Sequence, residues 1–134
     1  MTTIAWDGEY LYSDSQSTAD NTKSKCVKLF RAGKARLAFT GEVHRFPALV
    51  AAVAAGEDPL PLLGSETRMF HVLDGVLTIY DDGDSWTETA PAFAGSGSQF
   101  ARGAHAAGAS VAQAVRIAAD LDLYSGGPVR RLRA

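Results

Sequence analysis

The chain has 134 residues, 46% hydrophobic and 21% charged, which is the size and composition of one globular domain spanning 1–134. Its thirteen Lys and Arg nearly cancel its fifteen Asp and Glu, so no field of one sign points to nucleic acid or an anionic membrane, and the arginines of the closing VRRLRA read as solvated charge. A single cysteine, Cys26, excludes an internal disulfide, no Cys/His spacing fits a metal, and no apolar run reaches the roughly 18 residues of a membrane span; the chain reads as a cytoplasmic protein with no metal or cofactor.

In chain order, TTIAW and EYLYS are strand-like runs separated by Asp7-Gly8. Asp-Gly tolerates the positive φ of a two-residue hairpin loop. Such a loop sets Trp6 opposite Glu9, Ile4 opposite Leu11 and Thr2 opposite Ser13, and brings Asp14 beside the N-terminus. Strict alternation would point Asp14 away from Thr2, so the strand must bend there. The polar stretch DSQSTADNTKSK reads as a loop. CVKLF and ARLAFT form a second strand pair around RAGK. Helical spacing, Pro47 in the first turn and Gly56 past the end predict a helix at about 46–55.

DPLPLLGSET is a Pro-rich connector, and MFHVLDGVLTIY is a hairpin turning at Asp74-Gly75. DDGDSWTETAPAFA reads as a turn leading into a short strand that ends at AFA. The small-residue-rich stretch after it predicts two helices, about 98–107 and 110–121, the second N-capped by Ser110. YSGGPVRRL closes with a turn and a strand. Segregated strands and helices predict an α+β layered domain.

A threonine hydroxyl needs a base, and an N-terminal α-amine with a pKa of roughly 7.7–8.0 can serve as one. Removal of Met1 would therefore leave nucleophile and base together in Thr2. An acid at Asp14 can pair with one of the nearby lysines, Lys23, Lys25 or Lys28, and set its charge state. The glycine in FTGEV can expose a backbone N–H to a developing oxyanion. GSGS opens a helix with hydroxyls and N–H groups at its N-terminus. DLYSGG clusters Asp122, Tyr124 and Ser125 at a helix end. His44, His71 and His105 have no ligand spacing, and Trp6 and Trp86 read as packing residues.

Taken together, TT-I at the start, Asp14-Ser15, the lysine of KCVKL, FTGE, GSGSQFARGA and DLYSGG resemble, in the same order, the proteasome β-subunits and the bacterial peptidase HslV. Both belong to the N-terminal-nucleophile hydrolases. The resemblance implies a four-layer αββα sandwich, two antiparallel sheets flanked by helices. It implies a threonine peptidase with Thr2 as nucleophile and its amine as base. Lys25 would lower the nucleophile's pKa, Asp14 would pair with that lysine, and Gly41 N–H would form the oxyanion hole. Ser96, Asp122 and Ser125 would support the amine. It further implies a peptide or unfolded-protein substrate, a homo-oligomeric ring, and, as a partner some members use, an ATPase unfoldase, although no ATPase-docking element is recognisable. Glu42 stands where a small residue is usual, and the chain is shorter than typical members. Two other readings fit the same resemblance: a non-catalytic assembly subunit, and an amidase acting on a small amide.

Overall fold

The computed structural model describes residues 2–134. The first two strands, β1 (Ile4–Trp6) and β2 (Tyr10–Ser13), are antiparallel, and β3 (Gln16–Ala19) and β4 (Thr22–Lys25) form a separate hairpin. Five strands then make one antiparallel sheet in chain order: β5 (Leu29–Ala32), β6 (Ala35–Thr40), β7 (Arg68–Leu73), β8 (Val76–Asp81) and β9 (Asp84–Glu88). Between β6 and β7 lie α1 (Phe46–Ala54) and the short α2 (Leu60–Leu63). After β9 come β10 (Ala92–Ala94), α3 (Ser98–Ala106), α4 (Val111–Leu121) and β11 (Arg130–Arg133). The second sheet has the order β10-β1-β2-β11.

Side-chain alternation decides the layering. Ile4, Trp6 and Leu11 of one sheet meet Phe70, Val72, Leu77 and Ile79 of the other in a shared buried cluster. On the opposite face of the four-stranded sheet, Ala5, Tyr12 and Phe93 pack on Ala101 of α3 and on Val111, Ala114, Val115 and Ala118 of α4. The outer face of the five-stranded sheet, through Leu37, Phe39 and Met69, meets Phe46, Leu49 and Leu63 of α1 and α2. The order of layers is therefore helices, sheet, sheet, helices: the αββα sandwich. Three apolar interfaces fill it, and full burial of each large side chain contributes about 1.5–3 kcal/mol relative to exposure.

The helices start and stop where local chemistry directs. Pro47 lies in the first turn of α1, and Gly56 follows its end at φ +74°. Ser110 caps α4 by accepting from Gln113 N, while the Gln113 side chain accepts from Ser110 N, a reciprocal capping box. Asp74 and Gly75 make the expected two-residue loop, with Leu73 opposite Val76.

Four expectations need correction. The first hairpin does not close over two residues: Trp6 faces Leu11, Ala5 faces Tyr12 and Ile4 faces Ser13. Asp7 causes the longer loop, because its Oδ1 accepts from Glu9 N at 2.8 Å and Tyr10 N at 2.7 Å, and its Oδ2 accepts from Tyr12 Oη at 2.8 Å. Burial, then this Asp7 bond, pushes the Tyr12 phenol up to about 12. The polar stretch 14–25 is mostly the β3–β4 hairpin, turning at Asp20-Asn21 with both φ positive. DDGDSW is likewise a hairpin, with Asp82-Gly83 as its loop and β9 as an exposed edge strand. The Pro-rich connector contains the single helical turn α2, whose Leu63 is fully buried. In three of these, polar or proline-rich composition hid regular backbone.

One close backbone approach ties the sandwich to its N-terminus. Gly95, just after β10, has φ +97°, and a Cβ there would overlap the carbonyl of Thr2. Gly95→Ala should therefore lower unfolding free energy by about 2–4 kcal/mol, from left-handed strain plus overpacking. Urea denaturation measures this, and a change under 0.5 kcal/mol would contradict the packing described.

Candidate active site

Strand β2 runs on past Ser13, with Asp14 N donating to Thr3 O at 3.1 Å and Ser15 N to Gly126 O at 2.9 Å. Asp14 is thereby trapped between the N-terminal strand and the 122–127 loop, fully buried. Its carboxylate is saturated. Oδ1 accepts from Lys28 Nζ at 2.8 Å and Thr3 N at 3.1 Å. Oδ2 accepts from Gly126 N at 3.0 Å and Gln16 N at 3.3 Å. Two acceptor oxygens facing four donors make an ionised carboxylate tolerable in the interior.

Lys28 precedes β5, and its carbonyl accepts from Phe39 N at 3.1 Å, which anchors it to β6. Its buried ammonium bridges Asp14 and Thr2, 2.8 Å from Asp14 Oδ1 and 2.8 Å from Thr2 Oγ1. An ammonium has donors only, so Thr2 Oγ1 accepts this bond. A cation at that distance favours negative charge on the hydroxyl oxygen and so lowers the cost of deprotonating it.

A second network approaches Thr2 from its main chain. Thr2 N donates to Ser96 Oγ at 3.1 Å. Ser96 Oγ and Ser125 Oγ each lie 2.6 Å from Asp122 Oδ2 and donate to it. Ser125 has then used its proton, so at its 2.8 Å contact with Thr3 Oγ1 the threonine donates. Gly97 leaves room for this: a Cβ there would overlap Thr3 Oγ1 and crowd Ser125 Oγ. For Asp122, burial pushes the carboxyl up, but hydrogen bonds from Ser125, Ser96 and the Tyr124 backbone outweigh it and hold the group below its usual value.

Gly41 follows β6 at φ +103°, where a Cβ would overlap the Glu66 carbonyl. It lies on an open groove of about 680 Å³ between Ser17–Ala19 of β3 and the 40–44 turn, with Glu66 alongside. Glu42 also lines this groove; its carboxylate pairs with Arg45 at 3.1 Å and lies 3.5 Å from His44.

The structure thus gathers Thr2, Asp14, Ser96, Asp122 and Ser125 around one point, and sets Gly41 at the end of β6, the strand whose Phe39 N–H anchors the Lys28 carbonyl. Lys25 is not there. It ends β4 opposite Gln16 and is exposed, while Lys28 takes the position beside Thr2. The cause is the β3–β4 hairpin, which carries residues 22–25 out from the sandwich. Thr3 was also missed. Lys28 could have been found as the lysine flanked on both sides by apolar residues, Val27 and Leu29, at the start of a strand. Removal of Met1 concerns a residue outside those described.

No protein-family model matches the chain, and no curated protein is significantly similar to it in sequence. Solved structures do match. Thiobacillus denitrificans BPH in complex with epoxomicin superposes with a TM-score of 0.78 at 18% identity, covering 99% of this chain and 97% of that one. A second structure of Thiobacillus denitrificans BPH gives 0.77 at 19% identity, covering 99% and 96%. Eukaryotic HslV from Trypanosoma brucei gives 0.70 at 20% identity, covering 99% of both chains. The fold is the HslV-like, proteasome-type N-terminal-nucleophile hydrolase fold.

Two outcomes follow. Lys28→Met should destabilise the protein by about 3–5 kcal/mol, since it strands the buried Asp14 charge, whereas Lys25→Ala should stay within about 0.5 kcal/mol; denaturant titration of both reverses the assignment if the costs are equal. Asp122 has a lowered folded pKa, so its carboxylate contributes stability above the ordinary value of 3.8, and this is lost as pH falls through the lowered value. Asp122→Asn should lower Tm at pH 7 by roughly 3–5 °C, for about 1 kcal/mol of lost charge-assisted hydrogen bonding. The deficit should shrink toward pH 2–3; a constant deficit would show that the charge is irrelevant.

Proposed function

We propose that the protein is a threonine peptidase that works by acyl transfer from Thr2 after removal of Met1, assembled as a homo-oligomeric ring. The observation that carries this reading is Thr2 Oγ1 held 2.8 Å from a buried lysine that is itself paired with a buried aspartate, in a proteasome-type fold. Lys28 favours the alkoxide electrostatically and, as an ammonium, cannot take its proton. The base is then the α-amine of Thr2, whose nitrogen is bonded to Ser96 Oγ, itself donating to Asp122. Oγ attacks the peptide carbonyl, the amine takes the hydroxyl proton and passes it to the leaving amine, and water cleaves the resulting ester. Gly41 N–H is the proposed oxyanion donor, and the groove beside it takes an extended peptide or unfolded segment.

Intact-mass measurement should show a chain lacking one methionine. Epoxomicin, bound in the Thiobacillus denitrificans structure, should add one inhibitor mass to the chain, and peptide mapping should place it on Thr2. Thr2→Ala should lose both labelling and hydrolysis of fluorogenic peptides to background. Retained methionine with no labelling would instead establish a non-catalytic assembly subunit. Labelling with hydrolysis of small amides but no peptides would establish an amidase.

A further inference from the structure

Cross-strand register arranges the inner face of the five-stranded sheet in rows. One runs Arg31–Arg36–Val72–Leu77–Glu88, and another runs Thr40–Arg68–Asp81–Asp84, with Leu29–Ala38–Phe70–Ile79–Trp86 between them. At the β5 end, Arg31 faces Arg36 directly; at the β9 end, Asp81 faces Asp84. Like charges directly opposite each other disfavour a ladder.

The basic end is larger than one row. Arg36 Nε donates to Arg133 O at 3.3 Å, which joins β11 to this edge. Arg31, Arg36, Arg130, Arg131 and Arg133, five of the chain's nine arginines, therefore share one flank. Among the described residues, the one ion pair these five make is Arg133 with Glu9 at 3.2 Å, on the surface. Arg36 spends its guanidinium on backbone carbonyls. The opposite flank is acidic. Asp82, Asp84 and Glu88 are exposed on the β8–β9 turn and edge strand, and among the described residues none of them has an ion-pair partner. Asp81 is already paired with Arg68 at 2.6 Å.

Edge strands carrying charge of one sign keep copies apart. Here the two edges carry opposite signs, on opposite sides of the same sandwich. A polyanion such as nucleic acid would use the arginine flank but be repelled by the acidic one. A second copy of this chain satisfies both. Because the two flanks lie on opposite sides, a two-fold dimer cannot join them; each contact must be head to tail, which builds a ring where the rotation between copies closes.

We propose that the arginine flank of β5 and β11 docks on the acidic β9 edge of the next copy, and that this is the subunit contact of the assembly. The inference deepens the ring named under the proposed function and does not depend on peptidase chemistry.

Light scattering should find a multi-chain particle at about 50 mM NaCl that dissociates toward the 14.1 kDa single chain near 1 M, where the screening length falls to about 3 Å. R130E/R131E/R133E and D82R/D84R/E88R should each be folded by circular dichroism and run as single chains. Mixed in equal amounts they should regain a multi-chain mass, because each then offers the flank the other lacks. A single-chain mass for the unaltered protein at low salt, salt-insensitive assembly, full assembly of either variant alone, or folded variants that stay monomeric when mixed would each overturn the proposal. Thr2→Ala should assemble like the unaltered chain, so a failed peptidase reading leaves this mass readout unchanged.

Discussion

The buried pair of Lys28 and Asp14 constrains more of this structure than any other contact. Two charges taken out of water each cost several kcal/mol, and their attraction alone does not reliably return it. What makes the pair tenable is the set of donors around the carboxylate. Thr3 N comes from the N-terminal strand, Gln16 N from the start of β3 and Gly126 N from the loop after α4. Lys28 itself is anchored to β6 through its carbonyl. Satisfying one ion pair thus fixes the relative positions of both sheets, the β3 hairpin and the closing loop.

Glycines permit that convergence. Gly95 lets β10 approach the Thr2 carbonyl, and Gly97 admits two hydroxyls where a Cβ would sit. At Gly126 a Cβ would overlap the Gln16 side chain, so this residue is also free to bring its N–H onto Asp14. The GSGS segment that leads into α3 serves here through its shape and one hydroxyl. Its glycines make space and its first serine supplies the hydroxyl next to Thr2 N.

Features governed by local chemistry were legible in the sequence. The bounds of α1, α3 and α4, the Ser110 cap and the Asp74-Gly75 loop depend on neighbours within a few residues, and all fall close to where the pattern puts them. The register of the first hairpin was not, because the Asp7 side chain replaces a two-residue turn with a longer loop it bonds itself. Position along the chain also misled the choice of lysine. Lys25 and Lys28 are three residues apart, and only the exit of the β3–β4 hairpin from the sandwich determines which one turns inward. Asp14 was placed correctly beside the N-terminus despite the wrong register, since the strand does continue past Ser13 to pair with Thr3.

The two networks that meet at Thr2 differ in kind, and the proposed chemistry needs both. One is ionic and dry: Lys28 fixes the sign of the potential at Oγ1 but, with donors only, has no place for a proton. The other is made of hydroxyls ending on Asp122, which is less buried and whose lowered pKa keeps it an acceptor at neutral pH. Ser96 both accepts from Thr2 N and donates to Asp122, so it orients the nitrogen's protons and leaves the lone pair of a liberated amine to face elsewhere. The nearest oxygen that must lose a proton is Thr2 Oγ1, on the same residue. In the proposed chemistry, a lysine that polarises and a hydroxyl network that orients leave the α-amine as the proton carrier, a role a threonine can fill only once its nitrogen is no longer an amide.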